Sequence, residues 1–192
     1  MLIQTEQTPN PSTRKFLPGR TVMETGGRDF PTLESAEASP LAEALFATQM
    51  VDGVYFGRDF VSVSAAPTVE WSQLEPIVLE ILLDHFVTEA PLFKPGSAAE
   101  ISVAPDASVQ FEDREEDADI IAQIKELIET RVRPAVAQDG GDIVYRGYQD
   151  NKVYLELQGA CSGCPSSTIT LKNGIEGLIK HYVPEVESVE AV

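Results

Sequence analysis

The residues best suited to chemistry are the two cysteines of the chain, Cys161 and Cys164, which are separated by two residues. This spacing lets both sulfur atoms face one metal ion or cluster, and Gly163 between them permits the tight turn required. Pro165 suits the first turn of a helix, where its missing N–H is no loss. Cys164 would then lie at a helix N-terminus, whose partial positive charge favours the thiolate that binds metals. The pair is predicted to bind a metal or to do redox chemistry.

Three interpretations of this cysteine pair are open. The first is a chance placement of two buried thiols, which the flanking Gly and Ser residues disfavour. The second is a thiol-disulfide oxidoreductase with Cys161 as the nucleophile and Cys164 as the resolving thiol, although that motif normally follows an early parallel strand. The third is metal binding, either in a zinc-stapled structural module or at an iron-sulfur cluster, and such sites normally take four ligands.

The chain supplies fewer ligands than a closed metal site requires. His181 lies near the far end of the helix that begins beside Cys164, and about 17 helical residues separate the two by roughly 25 Å. Unless the site is half open, the missing ligands must come from another molecule, most simply a second copy of the chain. The sequence has no nucleophile-base pair, phosphate loop or paired carboxylates in a catalytic pattern, so we do not expect an enzyme.

The cysteines are predicted to lie in a domain with the element order αββαβ. Apolar residues at helical spacing predict one helix that Pro134 ends and another before Pro184, and β-rich runs flank a turn at 149–151. The predicted elements are a helix through 120–132, strands at 143–148 and 153–157, a helix through 171–182 and a strand within 186–192. The CxxC segment therefore connects the second hairpin strand to the last helix.

The first half of the chain is predicted to be an α+β domain without a catalytic constellation. Its predicted elements are extended runs at 2–6, 14–16 and 21–24, a helix capped by Ser39, a hairpin of 54–56 and 60–63, and a helix over 71–87. His85 lies beside the apolar face of that last helix, with no second ligand at metal-binding spacing. We therefore predict a structural role for His85.

Charge and composition suggest two small domains and restrict their partners. The 31 acidic and 14 basic residues give a net charge of −17, which repels nucleic acid and anionic membranes. A segment of little periodicity ends in the acidic block Glu112–Asp117, which would resist packing. We predict an N-terminal domain at 1–93, an acidic linker at 94–118 and a C-terminal domain at 119–192. The acidic block could also serve as a docking patch for basic proteins.

From Asp119 onward the sequence resembles the NifU C-terminal, or Nfu, domain of iron-sulfur cluster scaffold and carrier proteins. The likeness lies in the segments QDGGDI at 138–143, GACSGCPSS at 159–167, TLK at 170–172 and GIE at 174–176, together with the hairpin between the first two. The start of the chain, IQTEQTPNP at 3–11 and KFLPG at 15–19, resembles the N-terminal domain of Nfu proteins of mitochondria and their bacterial relatives. The resemblance covers nearly the whole chain except the predicted linker.

The resemblance implies a [4Fe-4S] cluster bridging two subunits, with Cys161 and Cys164 of each subunit as its ligands, and transfer of that cluster to apoproteins. The implied partners are a second copy of the chain, apo iron-sulfur client proteins and upstream cluster-assembly factors. Since the chain begins almost at once with the domain, we expect a bacterial cytoplasmic protein, or one of the mitochondrial matrix if a presequence was trimmed.

Overall fold

The computed structural model describes residues 2–97, 114–162 and 165–192, and it divides the chain into two compact units, Met1–Val103 and Ala104–Val192. Each unit has its own hydrophobic core. Most of the predicted linker, at 98–113, lies outside the described residues. No helix in the described parts of the chain is long and apolar enough to cross a membrane.

The N-terminal unit is an antiparallel sheet covered by helices. Its elements are β1 (Gln4–Gln7), β2 (Thr13–Leu17), β3 (Arg28–Phe30), α1 (Leu33–Ala36), α2 (Pro40–Ala47), β4 (Val51–Phe56), β5 (Val61–Ala65) and α3 (Trp71–Val87). The strand order is β1-β2-β5-β4-β3. Ser39 caps α2 by accepting the Ala42 N–H at 3.3 Å, as predicted. The predicted hairpin and the predicted helix over 71–87 are confirmed.

The predicted strand at 21–24 is wrong. The backbone N–H groups of Val22 and Met23 both donate to the carbonyl of Arg58, at 2.8 and 3.2 Å, which is a loop contact and not a strand ladder. The buried side chain of Met23 anchors this loop in the core. Instead β3, a few residues later, pairs with β4 and forms the edge of the sheet.

The C-terminal unit confirms the predicted order αββαβ. Its elements are a 3-10 turn (Glu115–Asp117), α4 (Ala118–Leu127), a π-helical turn (Ile128–Val132), α5 (Arg133–Gln138), β6 (Gly141–Gln149), β7 (Lys152–Gly159), α6 (Pro165–Tyr182) and β8 (Ser188–Ala191). Strands β6 and β7 are antiparallel, and β8 adds parallel to β7. Asp150 and Asn151 both have positive φ, of 50° and 59°, as a two-residue hairpin turn requires.

The helical path continues through Pro134, where the sequence predicts its end. A π-helical turn directly precedes α5, and Arg133 before the proline keeps helical angles. Pro134 falls in the first turn of α5, where a missing N–H is tolerated. The buried side chains of Val132 and Val136, on either side of the proline, hold this path against the core. Tertiary packing therefore overrides the local preference of the residue before proline.

Candidate metal-cluster site at the end of the hairpin

Cys161 lies just after the last residue of β7, at the point where the chain leaves the sheet toward α6. Gly159, with a φ of 64°, turns the chain there. Ser162 closes the turn, because its N–H and its hydroxyl both donate to the Gly159 carbonyl, at 3.1 and 2.8 Å. The Cys161 side chain is 5% exposed and packs in the core of the unit. Cys164 and the residue before it lie outside the described residues.

Two glycines at the start of β6 lie against the segment that carries Cys161. Gly140 has a φ of 81°, and its carbonyl accepts the Ala160 N–H at 3.2 Å. A Cβ atom added to Gly141 would lie 2.6 Å from Cys161 Sγ and 2.6 Å from the Gln158 carbonyl oxygen. Only glycine fits at 141 without displacing the sulfur or the backbone of β7. Sequence reasoning missed this contact between the glycines and the cysteine.

A buried ion pair lies beside these glycines. Asp142 is 6% exposed, and Arg133 donates to both its carboxylate oxygens, from Nε at 2.9 Å and from Nη2 at 2.6 Å. The Ile143 N–H also donates to Asp142 Oδ1, at 2.8 Å, and Arg133 Nη1 donates to Glu129 at 2.8 Å. The hydrogen bonds to Asp142 raise the pKa of Arg133. Sequence reasoning missed this pair, although an aspartate that opens an apolar strand is a signal for it.

The surroundings of Cys161 favour the neutral thiol. Burial raises the pKa of Cys161 to about 12, and the carboxylates of Asp139 and Asp142 add to the effect. A catalytic nucleophile must be a thiolate near neutral pH. A thiol-disulfide oxidoreductase with Cys161 as its nucleophile would have to overcome this burial. The predicted thiolate at Cys164 concerns a residue outside the described ones, although α6 does begin at Pro165.

The other candidate ligand of the C-terminal unit lies far from Cys161. His181 is in the last turn of α6, about 24 Å along the helix axis from Pro165, and its ring packs against Tyr182. Within residues 2–97, 114–162 and 165–192, no group of three or more His, Cys, Asp or Glu could hold a metal ion. In the N-terminal unit, burial lowers the pKa of His85, and its ring packs edge-on against Phe86. These contacts agree with the structural role predicted for His85.

Both units match known families. Residues 3–89 match the family described as "Scaffold protein Nfu/NifU N terminal", and residues 124–190 match the "NifU-like domain". The chain belongs to the Nfu/NifU-like family. The two matched segments together cover most of the chain, and the second contains the hairpin, both cysteines and helix α6. The resemblance noted in the sequence is therefore confirmed for both halves of this Nfu/NifU-like chain.

The Nfu/NifU-like chain also has curated relatives of high identity. It is 47% identical over 192 residues to NifU-like protein 4, mitochondrial, of Arabidopsis thaliana, covering 99% of this chain and 65% of that protein. It is 45% identical over 193 residues to the human NFU1 iron-sulfur cluster scaffold homolog, mitochondrial, covering 100% of this chain and 72% of that protein. The chain thus spans about two thirds of the length of these relatives. A solution NMR structure of a NifU-like protein from Saccharomyces cerevisiae aligns with 50% of this chain and 86% of its own, with a TM-score of 0.45 and 20% identity.

Proposed function

We propose that this chain is an iron-sulfur cluster scaffold and carrier, which holds a cluster on Cys161 and Cys164 and delivers it to apoproteins. The observation that carries the proposal is the 45% identity, along the whole chain, to a protein named as an iron-sulfur cluster scaffold homolog. The position of Cys161 supports it, since the cysteine lies two residues after the end of β7 and four residues before the start of α6. In this account the cluster is cargo that the protein gives away.

Loading the site couples cluster binding to proton release. Cysteine binds iron as the thiolate, whereas burial and two carboxylates keep the Cys161 thiol neutral. Iron must therefore displace the proton from Cys161, and this cost lowers the affinity of the site for a cluster at neutral pH. A lowered affinity suits a carrier, because the cluster has to leave for a recipient protein. The same carboxylates, those of Asp139 and Asp142, disfavour accumulation of negative charge at the site.

The cluster is proposed to be a [4Fe-4S] cluster shared by two copies of the chain. Such clusters take four cysteine ligands, and each chain contains only Cys161 and Cys164. His181, at the far end of α6, is too distant to complete the set. A two-fold axis through the cluster supplies the missing pair with the fewest assumptions.

The two units are proposed to divide the work. Residues 119–192 would bind the cluster, residues 1–93 would contribute docking or regulation, and the acidic segment at 94–118 would join them. The partners are apo iron-sulfur proteins and upstream cluster-assembly factors. For location, the mitochondrial names of the relatives favour the mitochondrial matrix, and a bacterial cytoplasm is the alternative.

Anaerobic reconstitution of the full chain with iron and sulfide tests the proposal. A scaffold should give a brown protein with a broad visible absorption and acid-labile sulfide, and it should activate an apo iron-sulfur acceptor when mixed with it. Cys161→Ala is the matched negative control. A colourless protein that reduces insulin disulfides, or one that retains zinc tightly and takes up no sulfide, would contradict the proposal.

A further inference from the structure

The Arg133–Asp142 ion pair joins α5 to β6, and the glycine segment between these residues contacts Cys161. Arg133 begins α5, and Asp142 is the second residue of β6. Between them the chain makes a tight turn, in which the N–H groups of Asp139 and Gly140 donate to carbonyls at the end of α5, both at 3.1 Å. The ion pair closes this turn from the other side. The Gly140-Gly141 segment is therefore fixed at both ends.

The fixed segment determines where Cys161 can lie. Gly140 binds the backbone of Ala160, the residue before the cysteine, and Gly141 lies close enough to the sulfur to exclude a Cβ atom. Asp142 in turn has no freedom to shift, because Arg133 occupies both carboxylate oxygens and the Ile143 N–H binds one of them. A bidentate pair of this kind fixes orientation as well as distance.

We propose that Arg133 and Asp142 are a positioning pair for Cys161, which holds the Gly140-Gly141 segment against the sulfur and sets the place where the sulfur meets the cluster. The role in placing the cluster rests on the proposed function. The role in positioning the sulfur concerns the protein without a cluster. Without the bidentate pair, the glycine segment is free to open, and the sulfur becomes accessible to solvent. The cluster would then be held by a ligand of variable position.

The reactivity of the Cys161 thiol directly tests whether the ion pair positions the sulfur. The probe is iodoacetamide, applied to the full chain carrying Cys164→Ser, and alkylation is followed by mass spectrometry. Arg133→Gln should speed alkylation by about tenfold or more, because local opening exposes the sulfur. Electrostatics alone gives the opposite sign, because loss of the guanidinium leaves the Asp142 charge uncompensated and disfavours the reactive thiolate. A faster reaction therefore reports lost positioning, and a slower one would overturn the proposal.

Two further variants separate positioning from general stability. Arg133→Lys keeps the charge and the fold but lacks the planar fork, so it should speed alkylation by less than Arg133→Gln. Arg146→Gln is the matched control, since Arg146 donates to Glu156 at 2.6 Å across the same hairpin, in the middle of β6. This control should change the rate by less than about twofold even if it lowers the melting temperature. Equal rates in the Arg133 and Arg146 variants would overturn the proposal.

The role of the ion pair in cluster placement is tested on reconstituted protein that keeps both cysteines. Arg133→Gln should alter the visible circular dichroism of the cluster and speed its loss to an iron chelator, whereas Arg146→Gln should match the parent. An unchanged spectrum and loss rate in Arg133→Gln would overturn the role in cluster placement. If the parent itself takes up no cluster, the proposed function fails and the placement role fails with it. The alkylation rates would still decide whether the pair positions Cys161.

Discussion

Burial shifts the pKa of His85 in the N-terminal unit and of Cys161 in the C-terminal unit, and the neighbouring charges act differently in the two cases. In the N-terminal unit, burial lowers the pKa of His85, while Asp84 raises it and Arg20 lowers it, so the neighbouring charges oppose each other. In the C-terminal unit, burial raises the pKa of Cys161, and Asp139 and Asp142 both act in the same direction. The opposing charges around His85 agree with a side chain that serves only in packing. The second arrangement surrounds the proposed cluster ligand Cys161 with groups that disfavour its thiolate form.

Under the proposed function, this contrast accounts for how the C-terminal unit would hold a cluster and still release it. A site built for permanent retention would stabilise the thiolate, for example with nearby cations. Here Arg133 is bound to Asp142 in a bidentate pair. The carboxylate is thereby held rigidly in place. Under the two proposals, the C-terminal unit would fix the position of the sulfur while disfavouring its thiolate form, whereas the surroundings of His85 in the N-terminal unit agree with a packing role.

Removing the buried side chain from each unit should give the largest difference. Cys161→Ala leaves one cysteine per chain, too few ligands for a cluster shared by two copies, so reconstituted protein should contain no stable cluster and no cluster-dependent dimer. Cys161→Ser should retain at most weak binding, since oxygen is a harder ligand than sulfur. The matched change His85→Gln should leave loading unchanged. Iron and sulfide assays compare the three, and normal loading of Cys161→Ala would contradict the assigned ligand.

A methyl group placed in a tight glycine contact should destabilise either unit but should affect cluster loading only in the C-terminal unit. Gly141→Ala forces a Cβ against Cys161 Sγ, and Gly57→Ala forces one against the Phe60 ring. Each should destabilise its unit by about 1–3 kcal/mol, the cost of overpacking. Only Gly141→Ala should also reduce cluster loading, because only this contact involves the cysteine. Chemical denaturation and iron assays measure both effects, and equal loading of the two variants would contradict the assigned role of Gly141.

Substitution of Gly174 in α6, a control glycine, should change the stability in the opposite direction. A Cβ added to Gly174 meets nothing within 4 Å. Gly174→Ala should therefore stabilise the C-terminal unit, by about 0.5–1 kcal/mol, because alanine has the higher helix propensity. A loss of stability in this variant would show that the backbone of α6 has less room at this position than the structure indicates.

The pH dependence of stability should separate the two units. The folded chain holds the Cys161 proton that the unfolded chain releases above its ordinary pKa of 9.0, so this contribution is complete below pH 9.0 and is lost toward about pH 12. The lowered pKa of His85 acts oppositely: its contribution is complete above its ordinary pKa of 6.5 and declines as the pH falls below that value.

Thermal melts across this pH range measure the two effects. Cys161→Ala should flatten the alkaline part of the profile, and His85→Gln should flatten the acidic part. Each substitution serves as the control for the other, because each leaves the other group in place. If the alkaline slope persists in Cys161→Ala, or the acidic slope persists in His85→Gln, that slope arises from other titrating groups.

Removing the N-terminal unit should have the smallest effect on the site. A fragment from about residue 119 contains the whole αββαβ set apart from the first residue of α4, so it should fold and load cluster like the full chain. Limited proteolysis is expected to cut first between Lys94 and Asp117, where the sequence is acidic and lacks periodicity. A fragment that folds but takes up no cluster would show that the N-terminal unit supplies part of the site.

The sequence predicts those features that depend on neighbours along the chain. Both long helices follow apolar residues at helical spacing, and the hairpin follows from the β-rich runs around Asp150 and Asn151. The family resemblance rests on an extended run of residues around the cysteines, which is far more specific than CxxC alone. These features need no knowledge of the tertiary structure.

The features that sequence reasoning missed depend on partners distant in the chain. The loop at 21–24 is defined by hydrogen bonds to Arg58, and the helix continues through Pro134 because the core holds Val132 and Val136. In the site, the contact between Gly141 and the Cys161 sulfur crosses the hairpin, and Arg133 reaches Asp142 across a turn. Periodicity does not encode such contacts, and only the aspartate that opens the apolar strand β6 signals one of them.

Two chains are proposed to share one four-iron cluster through their cysteine pairs. Size-exclusion chromatography with light scattering, combined with iron and sulfide analysis of the same fractions, tests this sharing. We predict a monomer without iron, since two chains of charge −17 repel each other, and a brown dimer with about two irons per chain after reconstitution. A brown monomer that holds about four irons per chain would contradict the account, because its cluster would need ligands other than Cys161 and Cys164.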